Sequence, residues 1–327
     1  MRFAASLTVI LAFAGTTAAF AGTLCAASAN AMTSGNDGLP PLPNEAETFG
    51  ALGACIVGRY ALWPDVAPEE TRRDRGRYVF DGTKGAWRMK DVIGPEIVLL
   101  KPLRARSNTL VLGVPGGGYA SQNMTSFCRN ICPILESGRW VAVLHHRLPR
   151  RKGRPIYAAA REDGVRAVRF LRAQASRFGY DPERIGVIGF SAGGNLAALL
   201  ATSSQDEVYR RVDATDDVPS HVNFAVPVYP AYVLDDGAEG TNVNCGVDAK
   251  LLPHFKLDAR TPPMFLVHGD EDEFSAMASV RLYEELRRRK MPAQLFVYAC
   301  AAHGLGDRAN VRGWQNRIVD WLETMDF

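Results

Sequence analysis

The sequence predicts an α/β protein: a mostly parallel, doubly wound sheet with helices on both faces and a short insertion, at about residues 231–258, over the strand ends. Three observations carry that prediction. Short apolar strands alternate with longer helical stretches from about residue 60 onward. The segment Gly189-Phe190-Ser191-Ala192-Gly193 stands between one such strand and one such helix. Further on, an acidic turn and then a histidine follow two later strands, so chemically complementary groups are expected at one end of the sheet.

The elements follow in order. Residues 32 to 58 hold a Gly/Pro/polar stretch and are expected to form a linker, with one catalytic domain from 59 to 327. Ile97 to Leu100 and Thr109 to Val114 are apolar enough for buried strands, and Gln122 to Ser137 reads as a helix. Trp140 to Leu144 is the next strand. Ile156 to Phe178 repeats Ala, Val and Leu at helical spacing. Arg184 to Phe190 is a strand and Ala192 to Thr202 an Ala/Leu helix. His221 to Val228 and Met264 to His268 are strands, Ser275 to Lys290 a helix, Gln294 to Tyr298 a strand and Val311 to Met325 the last helix. Between Ala231 and Asp258 the alternation breaks into Gly, Asp and Asn, which reads as the insertion.

The leader has its own signature. Arg2 is the only charge before an uncharged, Ala-rich run from Phe3 to Ala21, and Ala19-Phe20-Ala21 or Ala29-Asn30-Ala31 supplies the cleavage pattern. Residues 1–31 are therefore expected to be a signal peptide cut after 21 or 31, and the protein to be exported to the periplasm or beyond the cell. Cutting after Ala21 leaves 306 of the 327 residues, and cutting after Ala31 leaves 296. No later run is long and apolar enough to span a membrane, so no stable membrane association is expected after cleavage. With 38 basic and 35 acidic residues, the near-neutral balance gives no reason to expect nucleic acid. Cys55, Cys128, Cys132, Cys245 and Cys300, with Cys25 under the earlier cut, read as mostly buried thiols with room for one bridge. Cys128 and Cys132, four apart, share a helix face.

The chemistry concentrates around Ser191. A strand–turn–helix turn this tight projects the serine from the strand end, and its glycines tolerate the crowding. The backbone N–H of Ala192 then opens a helix, where an anion is favoured. Pro115-Gly116-Gly117-Gly118-Tyr119 follows an earlier strand, where a second oxyanion donor is expected. His303 is the expected base, because the order serine, acid, histidine is that of an α/β-hydrolase fold. The acid stands among Asp270, Glu271, Asp272 and Glu273; Asp272 is favoured by its reach from Gly269, and Asp270 is the alternative. Tyr119 is the candidate substrate-binding aromatic. No zinc spacing, Gly-Lys-Ser/Thr or G-x-G-x-x-G occurs, so neither metal nor cofactor is expected.

Together, Pro115-Gly-Gly-Gly-Tyr, Gly189-Phe-Ser-Ala-Gly-Gly194, Phe265-Leu-Val-His-Gly with Asp272, and Ala302-His303-Gly304 resemble the α/β-hydrolase carboxylesterases of the acetyl esterase and acetylxylan esterase type. Leu62-Trp63-Pro64-Asp-Val-Ala67-Pro68 and His146-Arg147-Leu148-Pro149 resemble exported, xylan-degrading members, and the similarity runs from about residue 60 to the C-terminus. The resemblance implies Ser191 as nucleophile, Asp272 as acid and His303 as base. It also implies oxyanion N–H groups from Gly117, Gly118 and Ala192, acyl-enzyme chemistry without a cofactor, and an acetyl ester on a small molecule or oligosaccharide as substrate. In this chain Pro115 stands where related esterases often carry His. Two other readings stand beside it: a serine peptidase on the same fold, and a non-catalytic binding protein. A fluorophosphonate probe separates the last, since a binding module would not react.

Overall fold

A computed structural model of the chain describes residues 38–203, 206–235 and 246–327. The expected leader, Cys25, Cys245 and the middle of the insertion lie outside the described residues. Eleven strands are described: β1 Ile56–Ala61, β2 Arg77–Asp81, β3 Ala86–Lys90, β4 Glu96–Leu100, β5 Leu110–Val114, β6 Gln122–Asn123, β7 Trp140–His145, β8 Ile185–Phe190, β9 Phe224–Val228, β10 Met264–Gly269 and β11 Ala293–Tyr298. The helices are α1 Glu45–Phe49, α2 Met124–Glu136, α3 Ala158–Phe178, α4 Ala192–Thr202, α5 Met277–Arg288 and α6 Trp314–Thr324.

Eight strands form one sheet in the order β1-β4-β7-β5-β8-β9-β10-β11. From β7 to β11 every pairing is parallel, while β4 runs antiparallel to both of its neighbours. The mostly parallel sheet and its covering helices are those of the α/β-hydrolase fold. Every residue of β4, β5, β7, β8, β9 and β10 is buried, which is why these strands read as unbroken apolar runs: helices on both faces leave no side for water. At roughly 25 cal/mol per Å² of apolar surface, such a core is the main stabilising term.

The segment expected to be a structureless linker is partly ordered. Residues 45–49 form α1 and Gly50–Cys55 a 3₁₀ turn, and β1 starts at Ile56. Composition misled here because tertiary contacts hold the segment. Phe49 is buried edge-on against Tyr78, 6.2 Å between ring centroids, and the buried Glu45 pairs with Arg59 of β1. Strands β2, β3 and β6 form a separate antiparallel sheet that sequence reading missed.

Helix α2 begins two residues later than expected. Asn123 is extended and its side chain accepts the Ser126 N–H at 3.1 Å, so it caps the helix while Gln122 and Asn123 pair with β3. Strand β9 likewise starts at Phe224, since the Asn223 side chain takes the N–H of Ile185.

The Leu62–Pro68 and His146–Pro149 motifs meet in a buried ion network. Arg147 Nε lies 3.0 Å from both Asp163 oxygens, its Nη2 bonds Glu162 at 2.5 Å, and its Nη1 donates to the Pro68 carbonyl at 2.7 Å. Trp63 Nε1 donates to Asp163 at 3.0 Å. Burial costs the guanidinium, but the two carboxylates outweigh it and raise its pKa. Cys55, Cys128, Cys132 and Cys300 are not bridged to one another; Cys55 is buried, Cys128 and Cys132 are half-buried and Cys300 is exposed, so fewer are buried than expected. Burial pushes the Cys128 and Cys132 thiols up to about 12.

Candidate active site

The strand-to-helix turn forces Ser191 to φ 58°, a conformation that costs a non-glycine residue energy and persists only where surrounding structure holds it. Here the Ser191 N–H donates to Val228 at 3.0 Å, and its carbonyl accepts the N–H groups of Asn195 and Ala231. A Cβ on Gly189 would collide with the Gly193 carbonyl, and one on Gly193 with the carbonyl of Val114. The two glycines therefore let α4 leave β8 directly beneath the β5 loop.

That loop carries Gly116, Gly117 and Gly118. A Cβ built on Gly116 would stand 2.5 Å from the Phe190 carbonyl and 3.1 Å from Ser191 Cβ, so the glycine run passes against the nucleophile turn. Gly117 has φ 145° and its carbonyl accepts from both Ala120 and Ser121, folding the loop back on itself. Gly116 is thus the glycine that meets Ser191, with Gly117 and Gly118 following it in the same loop and Ala192 next to the serine in the chain.

Tyr119 is placed differently from expectation. It is fully buried, and its hydroxyl donates to Asn195 Oδ1 at 2.7 Å. Asn195 in turn donates to the Tyr232 carbonyl at 2.8 Å. Tyr119 therefore ties the glycine loop to α4 and presents no face to a sugar; packing against α4 and Tyr232 takes the surface a ligand would need.

Strands β10 and β11 pair in parallel register from Met264↔Ala293 to Gly269↔Tyr298, so their following loops leave the same end of the sheet. The loops are stitched together: Asp270 N donates to Tyr298 O and Glu271 N to Ala301 O, each at 3.0 Å. Asp272 N closes the turn onto Gly269 O. Of the four acidic residues only Asp272 is buried, and its oxygens lie 3.0 and 2.9 Å from His303 Nδ1. Asp270, Glu271 and Glu273 are exposed. His303 Nε2 is 2.8 Å from Ser191 Oγ.

With two carboxylate oxygens beside Nδ1, that nitrogen carries the proton and Nε2 is left to accept from the serine hydroxyl. Burial alone would raise the Asp272 carboxyl, but hydrogen bonds from His268 and His303 hold it well below the usual carboxylate range. The arrangement can take a proton from Ser191 and stabilise the resulting imidazolium.

Four other histidines are occupied elsewhere. His145 lies between the Tyr78 hydroxyl (2.9 Å) and Gln122 Oε1 (2.7 Å), and burial pushes it down to about 3. His146 donates to the Arg147 carbonyl, and His254 packs on Tyr157. His221, in the connection between α4 and β9, lies 3.8 Å from Glu183. Among the described residues no group of three or more His, Cys, Asp or Glu converges as a metal site would.

Aromatic residues that sequence reading did not single out frame His303. The Phe274 ring is 4.8 Å and the Tyr229 ring 5.1 Å from the imidazole, and Tyr232 meets Phe274 edge-on at 5.7 Å. Tyr232 and the buried Leu234 belong to the flank of the expected insertion, where Leu234 bridges to Leu251. The Phe274 signal was its place two residues after Asp272, and Tyr229 and Tyr232 follow β9 directly.

A model of the BD-FAE family matches residues 98–286, more than half of the chain. The acetylxylan esterase of Xylanibacter ruminicola is 27% identical over 220 residues, covering 61% of this chain and 42% of that protein. The endo-1,4-beta-xylanase B of Butyrivibrio fibrisolvens is 26% identical over 226 residues, covering 66% and 35%. The chain thus spans less than half the length of these two relatives. Among solved structures, the acetyl ester-xyloside bifunctional hydrolase of Caldicellulosiruptor lactoaceticus superposes with a TM-score of 0.60 at 26% identity, covering 83% of this chain and 97% of that one.

Proposed function

Because the chain belongs to the BD-FAE family, we propose that it is an exported serine esterase that removes short acyl groups, acetyl first among them, from acetylated xylan or its oligosaccharides. The observation that carries this reading is the continuous hydrogen-bond line Ser191–His303–Asp272. The substrate class is supported by the acetylxylan esterase and the acetyl ester-xyloside hydrolase to which the chain is similar.

In the proposed reaction His303 Nε2 takes the Ser191 proton as Oγ attacks the ester carbonyl. N–H groups of Gly117, Gly118 and Ala192 receive the developing oxyanion; loss of one such donor costs about 10²–10³ in turnover in enzymes of this chemistry. As the ester C–O bond breaks, His303 gives its proton to the departing sugar oxygen, which leaves as the hydroxyl, and acyl-Ser191 remains. Water, deprotonated by the same imidazole, releases the acid and restores the serine. Asp272 remains a carboxylate throughout.

The test uses one substrate and one variant. The protein is expected to release acetate from acetylated xylan, and Ser191→Ala, folded by circular dichroism, to release none. Activity retained in the variant would remove Ser191 as nucleophile. Hydrolysis of aryl acetates without release from the polymer would remove xylan as substrate.

A further inference from the structure

Behind the Asp272–His303 pair stands a second histidine. His268, in β10, is fully buried. Its Nε2 donates to the Phe274 carbonyl at 3.1 Å and reaches Asp272 Oδ2 at 3.3 Å; its Nδ1 is 2.9 Å from Ser279 Oγ on α5. Two acceptors face Nε2, so the proton sits there and the Ser279 hydroxyl donates to Nδ1. Asp272 is therefore held from three directions: by His303 Nδ1, by the Phe274 N–H at 2.8 Å on Oδ1, and by His268 on Oδ2. The same contact fixes Phe274, whose ring packs on His303.

We propose that His268 is a positioning residue for ester hydrolysis: it divides the Asp272 carboxylate between two imidazoles and so sets the pH at which His303 becomes free to act as base. The inference rests on the Ser191–His303–Asp272 reading. Its physics is a competition for one charge. A buried carboxylate attracts His303 most when nothing else neutralises it, and each further donor weakens that attraction. With His268 in place, the His303 imidazolium is stabilised less and the imidazole gives up its proton more readily. The other titratable groups around the pair are the buried Tyr229, 5.1 Å from His303 and itself close enough to feel the Asp272 charge, and the exposed Asp270, Glu271 and Glu273 of the turn. From α5 the group that meets His268 is the uncharged Ser279.

The experiment is the pH profile of kcat/KM for p-nitrophenyl acetate across the histidine range. In His268→Leu the acid limb moves to higher pH by about half a unit or more, roughly a threefold loss at a fixed acidic pH. In His268→Gln, whose amide nitrogen reaches the Nε2 position, the limb stays at its wild-type place. Ser279→Ala weakens the His268 donor and moves the limb the same way by less; it decides the matter if the leucine variant does not fold. A limb that stays put in His268→Leu, or in Ser279→Ala where that variant stands in, overturns the proposal. So does an equal displacement in His268→Gln. Failure here is distinct from failure of the underlying reading: hydrolysis surviving in Ser191→Ala removes the triad, whereas an inactive Ser191→Ala with an unmoved limb removes only the role of His268.

Discussion

At the scale of single residues, the site was legible where chemistry dictates both residue type and order. Ser191 announced itself through glycines that a tight strand-to-helix turn demands, and His303 through its place after the last strand. The acid was not separable from its neighbours by type, because four carboxylates stand in one turn; only the closure of Asp272 N onto Gly269 O, which turns one side chain inward, distinguishes it. Tyr119 was misread because an aromatic beside a glycine loop has the same sequence signature whether it packs or binds. Tyr229, Tyr232, Phe274 and the bonding of His268 depend on which loops meet, and no local pattern encodes that. A paired substitution tests the acid. Asp272→Asn is expected to lower kcat by about 10⁴-fold, as loss of the orienting carboxylate does in serine proteases, while Asp270→Asn stays within severalfold of wild type. Comparable losses in both variants would return the acid to the turn as a whole.

At the scale of elements, buried strands and Ala/Leu helices were readable from apolar runs and helical spacing, and their ends shifted where side chains cap the backbone, as at Asn123 and Asn223. The strands of the small second sheet escaped. β2 and β3 mix charged and apolar residues, although the Asp81-Gly82 turn between them was an available hairpin signal. α1 and the turn after it escaped for another reason: five helical residues have little intrinsic stability and are held by contacts from residues distant in sequence. Phe49 is the anchor. Phe49→Ala is expected to cost about 3–5 kcal/mol, the range for a large buried aromatic. Chemical denaturation gives the number, and a change within about 0.5 kcal/mol would mean that the segment is not part of the folded core.

At the scale of the whole molecule, a near-neutral charge and a large apolar core describe an ordinary globular protein, and the proposal of export rests on the apolar N-terminal run of the sequence. We read export as serving a polymeric substrate that cannot cross a membrane. Among the described residues no helix is long and apolar enough to span one. N-terminal sequencing of protein recovered outside the cytoplasm is expected to begin at Gly22 or Met32; an intact Met1 on that material would contradict cleavage. The proposed leader and the Ser191–His303–Asp272 line both fit the proposed account, a serine esterase working on acylated polysaccharide. Its central claim is that Ser191 is the nucleophile. Labelling the native protein with a fluorophosphonate and locating the adduct by peptide mass spectrometry tests that claim most directly. One adduct on the peptide carrying Ser191, with parallel loss of esterase activity, is the predicted result; hydrolysis that continues without an adduct, or an adduct on another residue, would contradict it.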